Sequence, residues 1–190
     1  MYRDIDEQNL VRLCSDKDRQ AQMELYNRYA ARLFTLCRRY SDTTDEARDL
    51  VHDTMLRALD RIDTFTCSGK GSLYAWISRI AINMALNNIK RYKFRFVRQD
   101  AYAMETVPEP TPEALERIPE ERLLEFISEL PDTQRTIFNL FCLDGYSHRE
   151  IAEKIGISER GSTSLLAKAK HQLQKRINDY LKDSENNEII

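Results

Sequence analysis

The chain has 190 residues, enough for one large domain or two small ones, with 42% hydrophobic residues, 32% charged residues and a net charge of −2. Its four cysteines (Cys14, Cys37, Cys67, Cys142) lie far apart with no C-x-x-C pair, and only three histidines occur. This suggests neither a disulfide framework nor a zinc site and fits a reducing cytoplasm. The start, MYRDIDEQNLVRL, has no apolar signal core, and no run of about 18 apolar residues offers a membrane span.

Apolar residues then recur at helical spacing. Leu25, Tyr29, Leu33 and Leu36 form one stripe, and Ala47, Val51, Met55, Ala58 and Ile62 form a second. The second helix, within DEARDLVHDTMLRALDRIDTF (45–65), sets Asp49, His52, Asp53 and Leu56 on the face opposite its apolar stripe. A surface His between two acids is usually a solvated face, and no further ligand lies near enough in sequence for a metal. An exposed leucine among acids suits a protein partner.

The stretch GSLYAWISRIAINMALNNIKRYKFR (71–95) holds the only Trp of the chain and no Asp or Glu. Ser72 is expected to cap a helix that buries Leu73, Ile77, Ile80 and Met84. Its other face carries Arg79, Asn83 and Asn87 at four-residue spacing, with Lys90 and Arg91 beyond. Asn offers donors and acceptors to base edges, and Arg offers charge and a stacking plane. Trp76 is either core packing or a stacking platform. From Arg79 to Arg98 there are six basic residues and no acid, whereas Asp100 to Asp132 holds ten acids against Arg117 and Arg122. A basic face of this kind binds phosphate, and an acidic segment repels it. The segment RYKFRFVR (91–98) is the one candidate for a short extended piece. The fold class is all-α.

Residues 99–121 contain four of the five prolines and many acids, which predicts an open linker over 99–118. The domains are therefore expected at 1–98 and 119–183, with a disordered tail over 184–190.

In the second half, YSHREIAEKIGISERGSTSLLAKAKHQLQKRI (146–177) carries a capping box, Ser147 with Glu150, ahead of Ile151, Ala152 and Ile155. Gly156 permits a tight turn and Ser158 can cap the next helix. Short helix, Gly turn and longer helix make a helix-turn-helix, whose second helix enters the DNA major groove. Near that helix's start, Glu159, Arg160, Ser162, Thr163 and Ser164 are polar or small, as base readers must be. Lys168, Lys170, Lys175 and Arg176 are candidates for phosphates.

Five blocks in order (MELYNRYAARLFTLCRRY, EARDLVHDTMLRAL, GSLYAWISRIAINMALNNIKR, LPDTQRTIFNLFCLDGYSHREIAEKIGIS and LLAKAKHQL) make the chain resemble the sigma-70 family, specifically its small extracytoplasmic-function (ECF) group. The resemblance covers about residues 7–181. It implies a non-enzymatic promoter-selecting subunit without cofactor, with core RNA polymerase and promoter DNA as partners and an anti-sigma factor as a further candidate. Asp49, His52, Asp53 and Leu56 would dock on the polymerase clamp. The loop 63–71 with Phe65, and the helix with Trp76, Arg79, Asn83, Asn87, Lys90 and Arg91, would read and open the −10 element. A base flipped from the non-template strand would sit in that loop. Arg149, Arg160, Thr163, Ser164 and Lys168 would meet the −35 duplex, and the acidic linker would thread toward the active-site cleft. The chain departs from the family pattern Gly-Thr-Val-basic-Ser-Arg, carrying Arg160-Gly161-Ser162-Thr163-Ser164-Leu165, which implies fewer phosphate contacts; His52 stands where Gln is usual. The rivals are a free-standing helix-turn-helix repressor or activator and a protein-binding helical scaffold, separated by whether DNA binding needs polymerase.

Overall fold

The computed structural model describes Tyr2, residues 5–92 and residues 107–187. Among these the regular structure is helical and no strand occurs. The extended piece expected over 91–98 lies outside the described residues from 93 onward, while the backbone of 91 and 92 closes a helix. Two compact units divide the chain, Met1–Arg91 and Tyr92–Ile190.

The first unit contains α1 (Glu7–Ser15), α2 (Arg19–Arg38), α3 (Thr44–Asp60), a 3-10 turn (Ile62–Thr64) and α4 (Ser72–Tyr92). Local caps start the first three helices. The Asp6 carboxylate accepts from the Asn9 N–H at 2.8 Å and that of Asp18 from Ala21 at 2.9 Å. Thr43 and Glu46 form a reciprocal capping box. Both predicted stripes are buried, and Leu10, Leu25, Leu33, Leu73 and Ile77 are fully enclosed. Cys14 and Cys37 belong to this core, where burial pushes their thiols up to about 11 and about 12 and keeps them protonated.

The start of α4 corrects the sequence expectation. The Ser72 hydroxyl turns back to the loop, accepting from the Ser68 N–H at 3.2 Å, and does not cap. The cap comes from α1, because the Glu7 carboxylate accepts from the backbone N–H of Gly71 at 2.9 Å and of Leu73 at 3.3 Å. Gly71 sits at φ +85°, where its added Cβ would meet nothing, so conformation and not space demands glycine there. The Tyr29 hydroxyl of α2 also donates to Glu7, at 3.2 Å. Burial first, then the Glu7 charge, pushes that phenol up to about 12, so it stays a donor. Tyr29 in turn lies 6.0 Å from the Tyr74 ring, which Arg32 covers at 3.8 Å. One carboxylate thus joins α1, α2 and α4.

The second unit contains α5 (Pro112–Glu116), α6 (Glu120–Ser128), α7 (Asp132–Phe138) running into a π turn (Asn139–Leu143), α8 (His148–Ile155) and α9 (Glu159–Asn187). Ile118, Phe126, Leu130, Ala169 and Leu173 form one core cluster, with Ile137, Leu140 and Ile151 fully buried beside the π turn and α8. Two expectations change here. The predicted linker falls partly on residues outside those described (99–106), but over 112–118 the chain is folded, with Leu115 and Ile118 packed on the core cluster. Pro112 stands in the first turn of α5, where its missing N–H costs nothing, and Thr111 caps that turn from Ala114 at 3.2 Å. The tail predicted to be disordered from 184 continues α9 as far as Asn187, since extending an existing helix needs no new nucleus.

Replacing Glu7 with Ala strands two N–H groups at the start of α4 and one phenol. It is expected to cost about 2 kcal/mol, with Glu7→Gln costing about half as much. For a domain of this size that lowers the thermal midpoint by roughly 8–16 °C. Calorimetry on the full chain, with hydrogen exchange at Gly71 and Leu73, checks it. Unchanged exchange there would contradict the external cap.

Candidate nucleic-acid interface

Three surfaces carry the predicted site residues. On α3, Asp49, His52, Asp53 and Leu56 are all exposed on one strip, opposite buried Ala47, Val51 and Met55. Leu56 is 51% exposed, so the apolar element of this acidic face is open to a partner.

On α4, Arg79, Asn83 and Asn87 share the exposed face as the spacing predicted. The backbone positions of Lys90 and Arg91 fall in the last turn of α4, but their side chains lie outside the described residues. Asn83 and Asn87 line a groove of about 290 Å³ between α3 and α4, floored by Ile80 and Met84. Its other wall is Arg57 and Arg61, two exposed guanidiniums that sequence reasoning did not single out. Their own four-residue spacing at the end of α3 was the available signal. The groove pairs two amides with two permanent cations, a set suited to a base edge with its phosphate.

Trp76 is half-buried and rests on half-buried Phe65, ring centroids 5.3 Å apart and tilted by 46°. It is thus neither a core residue nor a free platform. The pair anchors the loop that follows the 3-10 turn onto α4, and that loop brings Ser68, Gly69 and Lys70 to the surface.

On the second unit the helix-turn-helix forms as predicted. Ser147 and Glu150 make the capping box, and the backbone and side-chain hydrogen bonds from Ser147 hold the exposed Glu150 carboxyl below its ordinary range. Gly156 ends α8 in the left-handed region at φ +77°, and the Ser158 hydroxyl accepts from the Gly161 N–H at 3.0 Å. Arg149, Arg160, Thr163 and Ser164 are exposed, and Lys168 is half-buried. Arg149 approaches Glu153 at 4.0 Å with both side chains largely in solvent, a weak pair.

Two expected DNA-facing residues have other work. Ser162 is fully buried, with its hydroxyl 2.9 Å from the His148 Nδ1. Arg176 donates to the Phe126 and Glu129 carbonyls, each at 3.2 Å, and pairs with the Glu129 carboxylate at 2.9 Å. It closes the carboxyl end of α6, whose last carbonyls lack helical partners.

These surfaces define an all-helical, two-unit protein with one acid-free helical face and one helix-turn-helix. The sequence matches the model of Sigma-70 region 2 over residues 25–95 and that of Sigma-70 region 4 over residues 120–173. It is 31% identical to the ECF RNA polymerase sigma factor BldN of Streptomyces coelicolor, across 88% of this chain and 70% of that protein. It is 26% identical to the ECF RNA polymerase sigma-E factor of Haemophilus influenzae, across 93% of this chain and 98% of that protein. With SigW of Bacillus subtilis, another ECF sigma factor, it shares 25% identity across 85% and 91%. The chain belongs to the sigma-70 family of RNA polymerase sigma factors, in its ECF group. Such a protein directs RNA polymerase to promoters.

Because Trp76 is the only Trp, its emission reports on the loop anchor. Phe65→Ala is expected to shift that emission to the red and to cost at least about 1 kcal/mol, the aromatic pair alone being worth that much before the lost burial of the ring is added. An unshifted spectrum would show that Phe65 does not shield the indole.

Proposed function

We propose a division of labour among the three surfaces, carried by one observation. The exposed face of α4 holds Arg79, Asn83 and Asn87 without a single acid, and α3 with the residue that caps it adds Arg57 and Arg61 across the groove. That face engages the non-template strand of the −10 element. The amides read a base edge, and the guanidiniums hold the backbone. A second base enters the loop 63–71 beside the Phe65–Trp76 pair, offsetting the few kcal/mol needed to unstack it. Lys90 and Arg91 extend the basic track.

The strip of Asp49, His52, Asp53 and Leu56 docks on core polymerase, with the leucine as apolar anchor and the acids fixing orientation. The exposed start of α9 reads the −35 element as duplex. Thr163 and Ser164 face base edges there, and Arg149, Arg160 and Lys168 face phosphates. The acidic residues ahead of α5 remain the candidate for entering the polymerase cleft.

Two tests separate these roles. Asp49→Lys with Asp53→Lys is expected to weaken core binding at least tenfold, like-charge juxtaposition costing a few kcal/mol at an interface, without changing the helical circular dichroism. Equal affinity for core would remove the docking assignment. Asn83→Ala is expected to leave promoter occupancy by the holoenzyme intact but to abolish permanganate-reactive thymines in the −10 region. Restored transcription from a pre-melted template would complete the result, whereas normal opening by the variant would refute the α4 assignment.

A further inference from the structure

Ser162 is the one hydroxyl that the start of α9 turns inward, and it lies within the segment 160–165 that departs from the family pattern. It has no access to solvent, so its hydroxyl must be satisfied by protein. His148, the first residue of α8, supplies that partner across the turn at 2.9 Å from Nδ1. The imidazole is itself held. It stacks on Phe141 of the π turn, centroids 4.4 Å apart and planes 21° from parallel. One half-buried ring therefore ties three elements together: the π turn by stacking, α8 by its own backbone, and α9 through the Ser162 hydroxyl.

The position of this tie matters. Ser162 is followed directly by Thr163 and Ser164, which are exposed on the same turn of helix. Successive helical residues are set about 100° apart, so fixing Ser162 in rotation fixes where its two neighbours point. A base-reading side chain needs its donor or acceptor within hydrogen-bond geometry, which a few tenths of an ångström decide. Gly161, immediately before Ser162, is a poor helix former and weakens this turn relative to Ala, so a tie beyond the local Ser158 cap adds to its order.

We infer that His148 is a positioning residue for promoter selectivity: through its hydrogen bond to buried Ser162 it sets the rotation of the base-reading turn of α9, without touching DNA. The inference rests on the proposed −35 reading by Thr163 and Ser164. The bond, not the ring stack, is the element that acts. Ser162 offers both a donor and two acceptor sites, so either imidazole tautomer can complete it.

Two single variants separate bond from stack. His148→Asn places an amide atom close to the Nδ1 position and keeps a partner for Ser162 but removes the stack. His148→Phe keeps an aromatic ring on Phe141 but leaves the Ser162 hydroxyl buried and unpaired. Holoenzyme carrying each full-length variant is offered a pool of promoters differing in the −35 element, beside a non-specific competitor. His148→Phe is expected to lose roughly tenfold in discrimination between the preferred element and single mismatches, the scale of one base contact, with non-specific binding within about twofold of the parent because phosphate contacts persist. His148→Asn should discriminate like the parent. Adding Ser162→Ala to His148→Phe removes the stranded hydroxyl but not the missing bond, so stability should recover while discrimination stays low; recovered discrimination would show that the bond does not set the turn.

Hydrogen exchange of the amides of 159–165 in the free proteins reads the same tie without DNA. It should accelerate in His148→Phe and not in His148→Asn. Discrimination that follows the ring and not the bond, or that neither variant changes, or exchange that is the same in all three proteins, overturns the inference. Ser164→Ala serves as the separate control on the −35 reading. If it leaves base preference unchanged, that reading fails, and the exchange data still decide whether His148 holds the turn.

Discussion

The first unit is organised around a conflict between two electrostatic needs. The amino end of a long helix presents unsatisfied N–H groups and favours an acceptor, best an anion, which most helices obtain from a local Asp, Ser or Thr at the N-cap or from Asp or Glu in the first turn. In the proposed reading α4 meets a DNA strand, whose phosphates carboxylates on its working face would repel. α4 has no acid in its first turn or elsewhere, and the anion it needs is delivered by Glu7 of α1, 64 residues before Gly71. The carboxylate is placed at the helix end, bound to two backbone N–H groups and a phenol, and away from the exposed Arg79, Asn83 and Asn87. The same bonds fasten α1 and α2 to α4, so the charge arrangement and the packing arise together.

The second unit shows a related economy. Arg176, expected on the DNA side, is spent on the open carbonyls of α6, so fewer of the cations of α9 are left for phosphate than its sequence suggests. Lys170 and Lys175 remain exposed and Lys168 is half-buried. In the proposed reading, specificity then rests more heavily on how Thr163 and Ser164 are aimed, and the inferred tie between His148 and Ser162 would matter for the whole domain. Where affinity from phosphate is limited, a rigid base-reading turn yields more selectivity per contact because less ordering remains to be done on binding.

Features governed by neighbours along the chain were legible in the sequence. The capping box at Ser147 and Glu150, the left-handed Gly156 and the apolar stripes of α2 and α3 follow from rules that span four residues or fewer. The exposed Arg79, Asn83 and Asn87 face followed from the same spacing. What escaped depends on partners chosen by tertiary packing. No local rule connects Glu7 to Leu73, or tells that Ser162 turns inward while Ser164 turns out. Arg57 and Arg61 were passed over because they lie on a different helix from the acid-free run. The prolines misled in one place, since Pro112 after a capping Thr opens a helix where composition alone read linker.

The account stands on the claim that the acid-free face of α4 handles the displaced strand. A photoreactive amino acid installed at Asn83, in holoenzyme on a promoter radiolabelled strand by strand, tests it most directly. The account predicts a cross-link to the non-template strand within the −10 element that appears as the promoter opens, with little to the template strand. Cross-links confined to polymerase, or to duplex upstream of the −10 element before and after opening, would contradict it.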